Sequence, residues 1–326
     1  MSRLRVAVIQ GGRSGEHEIS IRSAQAVIAH LDPERFEPVL FNIRKDGSWQ
    51  PGPLIPEPGA NPGIDVVFPV LHGTFGEDGT IQGLFEMAAL PYVGAGVFSS
   101  AASMDKEHFK RLCVERGLPI VPYQVHASDN LDLERVLAQF ELPVFVKPAN
   151  LGSSVGISKC KTREELAAGM RDAARYDLKV IVEQSITGHE LECAVLGNSD
   201  PVASTPCEIL PSRDFYDYDD KYINDDARTI IPPNLPGGTI AEVQRLAIEC
   251  YKALDCAGMA RVDFLVQAST GEVYLNEINT IPGFTSISMF PKMMEHSGLS
   301  FGDLVTRLIE LALERHARRQ ALRYER

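Results

Sequence analysis

Long apolar runs are missing from this chain. No stretch of its 326 residues approaches the roughly 18 consecutive apolar residues of a membrane-spanning helix. The N-terminal run in MSRLRVAVIQGG is too short for the core of a secretory signal, and glycines close it. Cysteine is sparse. Its six residues (113, 160, 193, 207, 250 and 256) show no C-x-x-C spacing, which argues against a zinc ribbon and a disulfide scaffold. A cytoplasmic protein in a reducing compartment is the expectation. Positive charge is also short, with 32 Lys and Arg against 44 Asp and Glu and a net charge of −12. The overall field therefore disfavours nonspecific nucleic-acid binding and anionic membranes. Any phosphate site must be built locally from lysines, arginines, metal and backbone amides. There is no internal repeat and no full G-x-G-x-x-G.

What is present reads as alternating strands and helices. Residues 3–9 predict a buried strand, followed by the loop GGRSGEHE, a helix from about Ile19 to Leu31 and a strand from Phe36 to Ile43. Strand, glycine-rich loop, helix, strand is a βαβ unit, hence a parallel sheet with ligand loops at the strand C-termini. A buried strand from Val66 to Leu71 then runs into HGTFGEDGTIQG, a loop suited to close backbone approach. Past a boundary near 104, the order βαββαβ through residue 183 predicts a small α+β lobe. A third region begins at Gly188, with strands at about 189–197 and 201–209. It continues with a long unpatterned segment, 211–236, an amphipathic helix over 238–256, a hairpin across Gly271 and a final helix capped by Ser300 and Asp303. The expected division is 1–104, 105–187 and 188–326.

Three constellations carry chemistry. Glu277 and Asn279 are two apart at a strand end, so they share a face. Asp263 lies in the preceding strand, and one antiparallel register would gather all three as oxygen donors of the kind Mg²⁺ takes. Arg261 shares the face of Asp263; it suits either a salt bridge or a clamp on an oxyanion. Lys147 ends a buried strand just before ANLGSSVG, whose amides can wrap phosphate oxygens. The segment EQSITGHE places Glu183 and Glu190 around a hinge, as a nucleotide site or as a plain linker. Glu16 sits in the first glycine-rich loop, where its charge also suits a helix N-terminus. His72 follows a strand, as a site residue or as packing. The same GSSVG loop fits G-x-S-x-G with Ser154 central, so a serine hydrolase is an alternative. That elbow needs strand–turn–helix, and a strand is expected after this loop.

Six segments taken together resemble the D-alanine–D-alanine ligases of the ATP-grasp superfamily. They are HGTFGEDGTIQG, MDKEHFK, KPANLGSSVGISK, DFYDYDDKY, ARVDFLV and NEINTIPGFTSISM, in family order and spacing along essentially the whole chain. The resemblance implies an α/β and α+β three-domain ATP-grasp architecture with an N-terminal βαβ substrate-binding domain, and ATP held between the central and C-terminal lobes. It makes Lys106, Lys147 and Lys221 ATP ligands and Ser153, Ser154 and Val155 the phosphate lid. Glu183 and Ile186 would meet adenine, and Glu190 the ribose. Asp263, Glu277 and Asn279 would hold two Mg²⁺, with Mn²⁺ a possible replacement.

On the amino-acid side, the resemblance gives Glu16 the ammonium of the first D-alanine, with His72 nearby. Ser288, Met289 and Lys221 would bind substrate, Ser288 at the carboxylate of the second D-alanine. Arg261 and the Gly283 amide would form the oxyanion site. Glu16, Ser153 and Tyr222 would share a hydrogen-bond network. Lys221-Tyr222 favours D-alanine as acceptor over the D-lactate or D-serine of related ligases. The implied task is peptidoglycan precursor synthesis by a homodimer.

Overall fold

The computed structural model describes residues 3–152, 155–210, 228–285 and 287–323. The N-terminal apolar run forms β1 (Leu4–Gly11), buried from Val6 onward. It is followed by α1 (His17–His30), β2 (Phe36–Ile43), β3 (Trp49–Gln50) and β4 (Val66–Pro69). β1 pairs in parallel with both β2 and β4, in the order β3-β2-β1-β4. The loops after β1 and β4 therefore leave the sheet at the same end, which brings the two glycine-rich segments together. Helices α2 (Thr80–Met87), α3 (Val97–Met104) and α4 (Lys106–Glu115) come next. Asp105 caps α4 by accepting the amides of Glu107 and His108, and Gly117 ends it at φ +69°.

The middle of the chain is an antiparallel sheet with two helices. Its elements are β5 (Tyr123–Ala127), α5 (Leu133–Gln139), β6 (Val144–Pro148), β7 (Ser158–Cys160), α6 (Arg163–Ala173) and β8 (Lys179–Gln184), with strand order β5-β8-β6-β7. β6 and β7 pair antiparallel from Val144–Cys160 to Val146–Ser158. The segment between them joins two strands, so the strand-to-helix elbow that a Ser154 nucleophile needs is not formed.

The C-terminal part carries β9 (Gly188–Gly197), β10 (Val202–Ala203), β11 (Cys207–Leu210), β12 (Arg228–Ile230), α7 (Gly237–Ala253), β13 (Gly258–Gln267), β14 (Val273–Asn279), α8 (Met289–His296) and α9 (Phe301–Gln320). Its sheet runs β12-β11-β9-β13-β14, with β10 on β9. The segment 201–209, expected as one strand, is two. Pro206 has no amide to donate to a ladder, and Ser204 turns its hydroxyl back to the Ala194 amide at 3.0 Å.

Two cores tie these parts together. In one, Val6, Val8, Val66 and Phe68 of the parallel sheet meet Phe284, Phe290 and the apolar face of α9. In the other, Phe109 and Cys113 of α4 pack with β9, β13, β14 and α7. The six cysteines are free and buried. Among the described residues, no helix is long and apolar enough to cross a membrane.

Candidate active site

The register of the C-terminal sheet builds the centre of the site. β13 pairs antiparallel with β14, setting Asp263 opposite Glu277 and Arg261 opposite Asn279. On its other side, Asp263 faces Glu192 of β9. Three carboxylates thus lie in one row across three strands. A bulge beyond Asp263 shifts the pairing, so that Phe264 meets Leu275. Such bulges bend a strand and re-aim its side chains, often beside active sites. Asn279 Oδ1 accepts the Ile281 amide at 3.0 Å, which orients its carbonyl oxygen. Hard oxygen donors on rigid strands fit a divalent cation such as Mg²⁺.

Two cations border this row. Arg261 donates Nε and Nη2 to the two oxygens of Asp263 at 2.7 and 2.6 Å, and its Nε lies 3.4 Å from Glu192. Burial opposes its charge, but Asp263 and then Glu192 hold the guanidinium well above its ordinary value. Lys106 of α4 is 3.9 Å from Glu277 and donates to the Leu151 carbonyl at 2.6 Å. A different acidic group, Asp105 and Glu107 with His108, also converges. Its cation is already present, because Lys179 reaches both carboxylates.

A chamber of about 110 Å³ opens beside Arg261, with Glu16, His72, Lys106, Gly283 and Ser288 in its wall. His72 is buried. Its Nδ1 lies 3.0 Å from the Ile281 carbonyl and Nε2 3.2 Å from Ser23 Oγ. Burial lowers its pKa, and the neutral ring donates from Nδ1. Glu77 also lines the chamber and accepts the amides of Gly73 and Ile281. Its carboxyl is pushed up to about 8, first by burial and then by the charge of Glu16.

The turn after β14 supplies the far wall. Phe284 is fully buried against Phe68, Phe290 and Phe301, with ring centroids 5.7–6.1 Å apart. Its amide donates to Ser23 Oγ at 3.2 Å. These contacts hold Gly283 against Ser288, where a Cβ on residue 283 would come 2.6 Å from Ser288 Oγ. Ser288 stands at the N-cap position of α8 without a side-chain cap bond, and the dipole of that helix favours an anion beside it. Met289, the first residue of α8, shares the wall.

A second cleft, of about 500 Å³, lies between the middle sheet and the C-terminal sheet. Lys147, Glu183, Ile186, Glu190 and Asp263 line it. Lys147 is 2.7 Å from Glu183. Glu192 and Glu277 face both cleft and chamber. The geometry therefore gathers Asp263, Glu277, Asn279, Arg261, Glu16, His72, Gly283, Ser288 and Met289 about one centre. It places Lys106 on the chamber side and Lys147 in the cleft. Ser153, Ser154, Lys221 and Tyr222 lie outside the described residues; Val155 is described and exposed. Sequence reasoning passed over Glu77, Glu192 and Lys110, the last of which lies 2.9 Å from Glu183. Glu192 is two residues from Glu190 in a strand, and Lys110 is one helical turn from Lys106; both spacings were available signals. The burial of Glu77 was not.

Family models match most of the chain. One, described as D-ala D-ala ligase C-terminus, spans residues 112–310, and one described as D-ala D-ala ligase N-terminus spans 5–62 and 54–95. The chain belongs to the D-alanine–D-alanine ligase family. A D-alanine–D-alanine ligase of Solibacter usitatus is 60% identical over 324 residues, covering 99% of this chain and 100% of the relative. The D-alanine–D-alanine ligase from Coxiella burnetii matches in structure with a TM-score of 0.88 and 38% identity, covering 98% of this chain and 97% of that one. The VanG D-Ala:D-Ser ligase from Enterococcus faecalis matches with a TM-score of 0.87 and 35% identity, over 95% of this chain and 100% of that one. One mainly parallel sheet, with β3 antiparallel at its edge, and two antiparallel sheets with a cleft between them make this member a mixed α/β ATP-grasp fold.

Proposed function

We propose that this member of the D-alanine–D-alanine ligase family joins two D-alanines to D-alanyl-D-alanine, with ATP cleaved to ADP and phosphate as its γ-phosphoryl group passes through an acyl phosphate. One observation carries the reading: the cleft and the chamber meet at Glu277 and Glu192. A nucleotide in the cleft would present its terminal phosphate to an amino acid held in the chamber. The first carboxylate attacks the γ-phosphate, giving an acyl phosphate and ADP. The amine of the second D-alanine then attacks that carbonyl, and inorganic phosphate leaves. No protein nucleophile is required.

Each group has a stated task in this reading. Glu16 takes the ammonium of the first D-alanine, and His72, neutral and held at both nitrogens, shapes the pocket beside it. Ser288, with Met289 at the start of α8, binds the acceptor carboxylate. Arg261 and the Gly283 amide stabilise the oxyanion as the tetrahedral centre forms. Lys147 and Lys106 offset phosphate charge, with Lys106 acting from the chamber side. Ile186 and Glu183 face adenine and Glu190 the ribose. Asp263, Glu277 and Asn279 would hold two Mg²⁺. A divalent cation bound there supplies charge neutralisation and in-line alignment of the transferring phosphoryl group. Ser153, Ser154, Lys221 and Tyr222 complete the proposal as lid and acceptor-selecting residues. The three-lobe division at 104 and 187, the homodimer and a cytoplasmic location belong to the same proposal.

ADP release with D-alanine against L-alanine, with and without Mg²⁺, tests the activity; equal rates with the two enantiomers would refute it. Acceptor choice is tested by competition among D-alanine, D-serine and D-lactate near neutral pH. D-alanine is expected to win, and a preference for D-serine would place this chain with the VanG type instead.

A further inference from the structure

Glu183 lines the nucleotide cleft, yet its carboxylate is gripped from two sides. Lys147 of β6 approaches Oε2 at 2.7 Å, and Lys110 of α4 approaches Oε1 at 2.9 Å. The Lys110 contact is an ion pair rather than an aligned hydrogen bond. All three side chains are buried, and Lys110 is 0% exposed. The two lysines differ in what they can reach. Lys147 lines the cleft beside Glu183, and Lys110 is not part of the cleft wall. The Lys110 ammonium is instead enclosed near the ring of Tyr123 on β5, 5.5 Å from its centroid.

This asymmetry has a consequence for nucleotide binding. A buried carboxylate is tolerated only while it is paired. With Lys147 as its sole cation, turning that ammonium toward a phosphate would strand a negative charge in a low-dielectric interior. With Lys110 on the other oxygen, Glu183 keeps a counter-ion wherever Lys147 points. Lys110 is also the i+4 neighbour of Lys106, which borders the chamber. One face of α4 therefore presents a cation to each half of the site.

We propose that Lys110 is a positioning residue for the nucleotide: its hold on Glu183 frees Lys147 to exchange that carboxylate for a phosphate oxygen. The proposal rests on the reading of Lys147 as a phosphate ligand. It is tested by steady-state ADP release, with ATP and D-alanine varied in turn, on Lys110→Met, Glu183→Gln, the double variant and Lys147→Met. Melting temperatures report whether each variant folds.

Lys110→Met is expected to raise KM for ATP by about tenfold or more, while KM for D-alanine changes less than about twofold. In the Glu183→Gln background the same substitution should add less than about twofold, because Lys110 acts through Glu183. An unchanged KM for ATP, or a loss spread equally over both substrates, overturns the proposal. So does an equal effect with and without Glu183. If Lys110→Met alone does not fold, the comparison of Glu183→Gln with the double variant decides, since neither of these leaves the carboxylate charged and half-paired. Lys147→Met separately tests the underlying reading. If it leaves KM for ATP unchanged, the phosphate role of Lys147 fails, whatever Lys110 shows.

Discussion

Arg261 grips Asp263 with two parallel bonds, 2.7 and 2.6 Å long, from two positions along the same strand face. The pair joins a proposed oxyanion donor to a proposed metal ligand. Removing the guanidinium takes away the donor and leaves Asp263 with one counter-charge fewer. Arg261→Met is expected to lower kcat on the order of 10²- to 10³-fold, the range for losing an oxyanion donor. Arg261→Lys should recover little, because an ammonium has no planar fork. ADP release under saturating substrates measures both; a kcat within about twofold of the parent in either variant contradicts the role.

Asp263 and Glu277 face each other across the β13–β14 ladder. Chelation of divalent cations is expected to abolish ADP release, and added Mg²⁺ to restore it. Glu277→Gln should raise the Mg²⁺ concentration for half-maximal rate by about tenfold or more. An undiminished rate in excess chelator would sink the metal assignment.

Gly283 has no room for a side chain, since Ser288 Oγ would lie 2.6 Å from a Cβ there. Ser288 Oγ cannot simply turn away, because Thr285 donates its amide to it at 3.0 Å and shares a 2.8 Å hydroxyl contact with it. Gly283→Ala is expected to destabilise the fold by about 1–3 kcal/mol. It should also raise KM for the acceptor D-alanine more than KM for ATP. Thermal melting and two-substrate kinetics check the pair of effects.

Glu77 predicts a pH dependence of stability. Its carboxyl is pushed up to about 8 in the fold, against 4.5 as its ordinary value. Between these values the unfolded chain loses its proton and the folded one keeps it. The unfolded state therefore binds fewer protons, and stability falls as pH rises from about 4.5 to about 8. The contribution is complete below that window and gone above it. Glu77→Gln removes the titration. Its melting temperature, relative to the parent, is expected to climb between about pH 5 and about pH 8, above a constant offset from altered bonds to Gly73 and Ile281. A difference that stays flat with pH would show that Glu77 does not titrate in this way.

Local periodicity made much of the fold legible. The βαβ order announced the parallel sheet, the cap of the last helix at Ser300 was readable, and period-two alternation put Glu277 and Asn279 on one face. The split of 201–209 into two strands was harder, since one proline and one serine outweighed a strand-like stretch. Lys110 and Glu192 left local spacing signals but needed their partners to acquire meaning.

By itself, then, the sequence determined the element order, the oxygen and nitrogen donors available and the face on which each strand presents them. These follow from backbone geometry repeating over a few residues. Tertiary structure decided which donors meet. The β9–β13–β14 register sets Glu192, Asp263 and Glu277 in one row, and packing of α4 carries Lys110 to Glu183. It also buried Glu77 beside Glu16. Register and burial depend on how separate apolar faces find one another across the whole chain, and no local pattern encodes that.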